Sequence, residues 1–168
     1  MNRVILLNHN KYGLGVKDMI RRIVTSPHPA LRIVAKEATE INEQIKTIAQ
    51  DLEDTLEVNI RKAVGLSANQ INERYRIIAF IDIETRKIES IINPKIIYYS
   101  KDDLVLGKES CLSYPGVSKY ITRPREIIVE GYSKMGNPVK YSMTDYQARI
   151  VCHEVDHLFG KCKVGISK

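Results

Sequence analysis

The 168-residue sequence predicts an α+β fold in which helices bracket a run of antiparallel strands. Three observations carry this. Ile41, Ile45, Ile48, Leu52 and Leu56 recur at spacings of three and four with charged residues between them, the mark of an amphipathic helix. After Gln70 the texture changes to short Ile- and Tyr-rich runs separated by turn residues. Ala148, Val151, Val155 and Leu158 then restore a helical stripe. Helix, strands, helix is the order of an α+β domain and not of alternating βαβ units.

Taken in order, Gly13 and Gly15 punctuate a polar leader, and Ser26-Pro27-His28-Pro29 is an extended break that disfavours helix. The first helix is expected over 39–61, capped by Thr39 or Asn42. Strands are expected over 76–83, 88–92 and 95–99, and over 127–132 and 139–141 around a Lys134-Met135-Gly136-Asn137-Pro138 hairpin turn. The last helix is expected over 144–158, with Thr144 as its cap and Gly160 at its stop.

Bulk properties narrow the function. With 43% hydrophobic and 27% charged residues the chain is globular in composition and long enough for one domain with a core. No stretch approaches the roughly 18 apolar residues of a membrane span, and the Val4 to Leu7 run is too short for a secretory signal. Three cysteines, an odd number, argue for a reducing compartment over a disulfide framework. The net charge of +6 is spread along the chain without a basic stripe, so no specific nucleic-acid partner is implied.

Chemistry concentrates in the last helix. His153-Glu154-Val155-Asp156-His157 is an HExxH motif, whose histidines at i and i+4 share a helix face and can reach one metal ion. Glu154 is placed beside the first ligand to handle the proton of an attacking water. Two surface histidines on an amphipathic helix are the ordinary alternative. Yet the chain has only four histidines, two of them in this pattern, and a chance HExxH is on the order of one per cent or less. Catalytic zinc-type sites use three protein ligands and keep a position open. His9, His28, a carboxylate or a cysteine could supply the third. Cys111 is the strongest candidate, in the small-residue turn Glu109-Ser110-Cys111-Leu112-Ser113-Tyr114-Pro115-Gly116. Cys152 and Cys162 read as small buried hydrophobes, Cys152 pointing about 100° away from the ligand around the helix. A third segment, Val64-Gly65-Leu66-Ser67-Ala68-Asn69-Gln70, offers a backbone that a substrate can approach, and Gln70 as a donor to developing negative charge.

Together these segments resemble the peptide deformylases, which remove the formyl group from the N-terminal methionine of new bacterial and organellar proteins. The family shows G-hydrophobic-G-hydrophobic-A-A-x-Q, E-G-C-L-S and H-E-x-D-H-L-x-G in this order. Ala63 to Gln70, Glu109 to Ser113 and His153 to Gly160 are similar to them. Arg123-Pro124, Gly136 and Gln147-Ala148-Arg149 also fall in register, so the likeness runs from about Met19 to Gly160. Departures are Ala63 and Ser110 for glycines, Ser67 for alanine, and an unusual Phe159. The resemblance puts Ala63, Ser67 and Ser110 along the substrate channel. It divides the chain into an N-terminal extension, 1–18, and a single catalytic domain, 19–168. The C-terminal helix that some relatives dock on the ribosome is not expected.

The resemblance implies antiparallel strands packed around a central C-terminal helix that carries HExxH. It implies Cys111, His153 and His157 as ligands of one divalent ion, Fe2+ first, with Zn2+, Ni2+ or Co2+ as substitutes. Glu154 is then the proton carrier, with the Gln70 amide and Leu112 N–H holding the substrate oxygen. Val64 and Ile150 would line a methionine slot, with the peptide alongside Gly65 and Ser110, and Arg123 would pair with Asp156. The implied partners are formylated N-termini of nascent peptides, with transient ribosome contact and no membrane. The implied location is cytoplasmic, or organellar if 1–18 is a transit segment. Two alternatives stand beside deformylation: a related hydrolase with a shifted N-acyl preference, motivated by the three substitutions, and a non-catalytic metal-binding, ribosome-associated module. A zincin protease fits less well, because no His, Asp or Glu follows His157 to act as third ligand.

Overall fold

A computed structural model describes residues 19–165; the leader and its proposed status as an extension lie outside the described residues. The first helix, α1, spans Glu43–Val58. Of the two candidate caps, Asn42 fills the role, its side chain accepting from the Ile45 N–H at 3.1 Å. The helix ends before 61 because the Asn59 side chain takes the Thr55 carbonyl. Ile45, Ile48, Ala49, Leu52 and Leu56 form its buried stripe.

Five strands make the main sheet, β1 (Gly65–Ser67), β2 (Ile77–Ile81), β3 (Ile88–Tyr99), β6 (Glu126–Tyr132) and β7 (Pro138–Thr144), side by side in that order and all antiparallel. The remaining two, β4 (Leu104–Ser110) and β5 (Ser118–Pro124), form a separate ribbon. The strands expected over 88–92 and 95–99 are one, β3, interrupted by a register shift between Ile92 and Lys95. Asn93 there has φ 53°, and its side chain bonds both the N–H and the carbonyl of Ala38 at 2.9 Å. Pro94 contributes no ladder donor, so the sequence reads as a gap where the chain only bulges.

The second helix, α2, spans Asp145–Leu158. Thr144 occupies its cap position, but its side chain makes no capping bond. Along β2 the period of two sends Ile77, Ala79 and Ile81 into a core shared with α1. Ile78 and Phe80 enter a second core with Ala148, Ile150 and Val151 of α2. The sheet is thus packed on both faces, with α2 buried along 147–154. The α+β class and the inward position of the last helix are as the sequence predicts.

Gly160 ends α2 at φ +65°, its N–H bonding the His157 carbonyl while Lys161 N–H bonds that of Asp156, both at 2.9 Å. This is a Schellman stop, which needs the left-handed region. A Cβ on Gly160 would lie 2.5 Å from the Arg32 carbonyl oxygen. Gly160→Ala is expected to destabilise the fold by about 2 kcal/mol or more, lowering the thermal midpoint by roughly 4–8 °C in a calorimetric melt. An unchanged midpoint would refute the steric account.

Candidate active site

The site forms where α2 passes between the end of β1 and the β4–β5 ribbon. His153 and His157 sit one turn apart with ring centroids 5.0 Å from each other. The turn after β4 brings Cys111 to them, its Sγ 3.2 Å from His157 Nε2. The chain that reverses at Gly160 brings in a fourth group, Cys162. The ligand atoms of Cys111, His153, His157 and Cys162 all lie within 4.8 Å of one another. Cys152 lies in the second core, as a small hydrophobe should. Cys162 is only 2% exposed, as expected, but its sulfur faces the histidines and is not simply core. A hydrogen bond between the two thiols pushes the Cys111 pKa up and draws that of Cys162 down.

Beneath His153 is a buried ionic network. Glu109 Oε2 faces His153 Nδ1 at 3.0 Å, which leaves Nε2 to point at the cluster. Arg123 grips Glu109 in a fork, Nε to Oε1 at 2.8 Å and Nη2 to Oε2 at 2.9 Å. Arg149 Nη1 adds a 2.8 Å bond to Oε1 and a second to the Ile121 carbonyl. Arg123 also reaches Asp156 at 2.5 Å, the pair implied by the resemblance. Burial raises the Glu109 pKa, but hydrogen bonds from Arg123 and His153 outweigh it and hold the carboxyl at about 2. Sequence reading passed over Glu109 and Arg149 as actors. Their only signal was register, since each lies inside a stretch similar to the family.

Glu154 is 4% exposed, and its Oε2 has no hydrogen-bond partner. Burial raises its pKa above the usual carboxylate range. Gly65 gives it room: a Cβ there would sit 2.6 Å from Glu154 Oε1. Gln70 is fixed by its carbonyl end, which accepts from Ser67 N–H and Oγ at 3.0 Å each. Its amide nitrogen donates to Ser113 Oγ at 3.0 Å and, more weakly, to Cys111 Sγ at 3.5 Å.

Above these groups opens a cleft of about 280 Å³. Val64, Gly65, Gln70, Ser110, Cys111, Leu112, Ile150, His153 and Glu154 line it, and His157 does not. Among the substituted positions, Ala63 and Ser110 line the cleft. Ser67 does not, contrary to expectation. It is fully buried, and its hydroxyl is spent on Gln70. Arg61, Lys62 and Lys108 add positive charge to the walls, which the sequence did not flag.

Buried thiols and imidazoles converging on one point are the donors that zinc, iron, cobalt and nickel accept. Glu154 Oε2, bordering the cleft, is buried without a hydrogen-bond partner among the described residues, so the pocket's polar groups are not all satisfied by protein alone. A helix-borne HExxH beneath a cleft, with a thiol from a neighbouring turn beside it, places the chain among the HExxH metal-dependent hydrolases.

Comparison with known proteins narrows this class. Residues 20–165 match the polypeptide deformylase family, to which the chain belongs. It is 40% identical over 141 residues to a peptide deformylase of Caldanaerobacter subterraneus subsp. tengcongensis, covering 84% of this chain and 85% of that protein. Identity to a peptide deformylase of Finegoldia magna is 37% over 142 residues, covering 84% and 85%. The crystal structure of the Ehrlichia chaffeensis peptide deformylase in complex with actinonin superposes with a TM-score of 0.80 at 32% identity, covering 89% and 90%.

Glu109 supplies the test of the ionic network. Its depressed pKa contributes stability at pH values above the ordinary 4.5, and that stability is lost as pH falls from 4.5 towards 2. Glu109→Gln is therefore expected to flatten acid unfolding in this window. It is also expected to weaken metal binding by roughly 10–100-fold in a chelator competition. Wild-type acid unfolding and affinity in the variant would refute the role.

Proposed function

We propose that the chain removes the N-formyl group from the N-terminal formylmethionine of newly made polypeptides in the cytoplasm, releasing formate. The observation that carries this reading is Glu154: a buried carboxylate that borders the cleft beside His153, one oxygen of which has no hydrogen-bond partner among the described residues. A carboxylate so placed is unsuited to structure and suited to carrying a proton.

The substrate enters as a strand. Among the described residues β1 pairs only with β2, and β4 only with β5, so each has an edge without a strand partner there. An extended peptide between Gly65 and Ser110 gains main-chain bonds from those edges. Val64 and Ile150 receive the methionine side chain. Cys111, His153 and His157 hold the ion, Fe2+ by preference, with Zn2+, Ni2+ or Co2+ able to replace it. When bound, the ion acts as a Lewis acid and lowers the pKa of a water from 15.7 towards about 7.

Glu154 accepts the proton of the attacking water and returns it to the departing amine. Negative charge that develops on the formyl oxygen meets the Leu112 N–H and the Gln70 amide. One Gln70 N–H stays with Ser113, while the other, in its long 3.5 Å contact to sulfur, is the one that turns to the substrate. A donor so placed is worth about 3–4 kcal/mol. The partners are nascent formylated N-termini, met in transient contact with the ribosome.

Formate release from formyl-Met-Ala-Ser by protein prepared without oxygen is the test. Glu154→Ala is expected to lower the rate by roughly 10²–10⁴ while metal content stays at one ion per chain. No release from the wild-type protein with its ion bound would overturn the reading.

A further inference from the structure

We propose that Cys162 is a fourth protein ligand of the ion, completing a two-sulfur, two-imidazole set in the resting protein. The inference rests on the reading of Cys111, His153 and His157 as ligands, and extends it by one residue of this chain.

Geometry is its first support. The Cys162 sulfur lies with the other three ligand atoms inside a 4.8 Å span, and the residue is 2% exposed. A thiol serving only as a small hydrophobe has no reason to face two histidines and a second thiol. Cys152 shows the contrast, since it sits among core side chains of α2 and the sheet.

A second support is how firmly the sulfur is aimed. The Schellman stop at Gly160 reverses the chain two residues before Cys162. The Gly165 N–H then bonds the Cys162 carbonyl at 3.0 Å, closing a turn. Val164 and Cys162 pack with Ile121 of β5, against Cys111 and Tyr114. That turn leaves no slack: a Cβ on Gly165 would lie 2.0 Å from the Tyr114 ring.

Cys111 and His153 line the cleft, whereas His157 and Cys162 do not. Cys162 would thus hold the ion from the side away from the cleft, and Cys111 and His153 from the side that borders it. A water on this ion would then be a fifth ligand, where the usual catalytic zinc site holds it as the fourth beside three protein ligands. A second thiolate donates charge to the ion and weakens it as a Lewis acid. The water then ionises at higher pH than it would with three ligands.

The experiment is X-ray absorption of the zinc-loaded, full-length protein prepared without oxygen, beside Cys162→Ala and Cys111→Ala. The expected wild-type result is two sulfurs near 2.3 Å and two nitrogens near 2.0–2.1 Å, about the usual zinc distances, with one sulfur lost in each variant. Zinc affinity of Cys162→Ala should fall by more than the roughly 10–100-fold lost with a residue that merely supports a ligand. The acid limb of its pH–rate profile should move to lower pH. One sulfur in the wild type would overturn the proposal and leave the three-ligand reading standing, whereas two persisting in Cys162→Ala would overturn it by placing the second sulfur elsewhere. A wild-type protein that takes up no zinc would overturn both.

Discussion

The buried carboxylate of Glu109 is the tie on which the site depends. It belongs to β4, Arg123 to β5, and Arg149, His153 and Asp156 to α2, so one side chain fastens the ribbon to the helix. Two guanidinium groups face two carboxylates, and the local charge nearly balances. Burial of this kind is costly unless every partner is present, so the network holds as a unit and fails as one. Its product is the orientation of a single imidazole.

Space matters as much as charge. Gly107 lies where a Cβ would come within 2.8 Å of the Arg149 guanidinium, as Gly65 does for Glu154. Both glycines sit in strands, where they would ordinarily weaken the sheet. Each instead lets a strand backbone close on a charged side chain that needs walls around it. Two backbone positions thus set the room available to the Glu154 carboxylate and to the network beneath His153.

Much of this was legible in the residues. The class of fold followed from two helical stripes around a β-textured middle, because period is a local property of sequence. HExxH was legible for the same reason. What escaped notice depends on tertiary placement. β3 looked like two strands because Asn93-Pro94 carries turn chemistry, while Ala38, far away in sequence, satisfies the bulge. Ser67 was placed in the channel by the resemblance, yet it is fully buried, with its hydroxyl donating to Gln70. Cys162 looked inert because only the reversal at Gly160 reveals where its sulfur goes. Glu109 looked like a flanking residue, since all three of its partners, Arg123, Arg149 and His153, lie on other elements.

The two-faced burial of β2 has a consequence for how the chain is made. Ile78, Phe80, Ile91, Ile127 and Val129 are covered by α2, the last element along the described chain. During vectorial synthesis the sheet can assemble on α1 well before α2 emerges. Its second face then stays open to water and to other chains, a sticky surface of the kind that chaperones shield. The helix that carries the chemistry is therefore also the lid on the hydrophobic core, and the centre cannot be completed until that lid has closed.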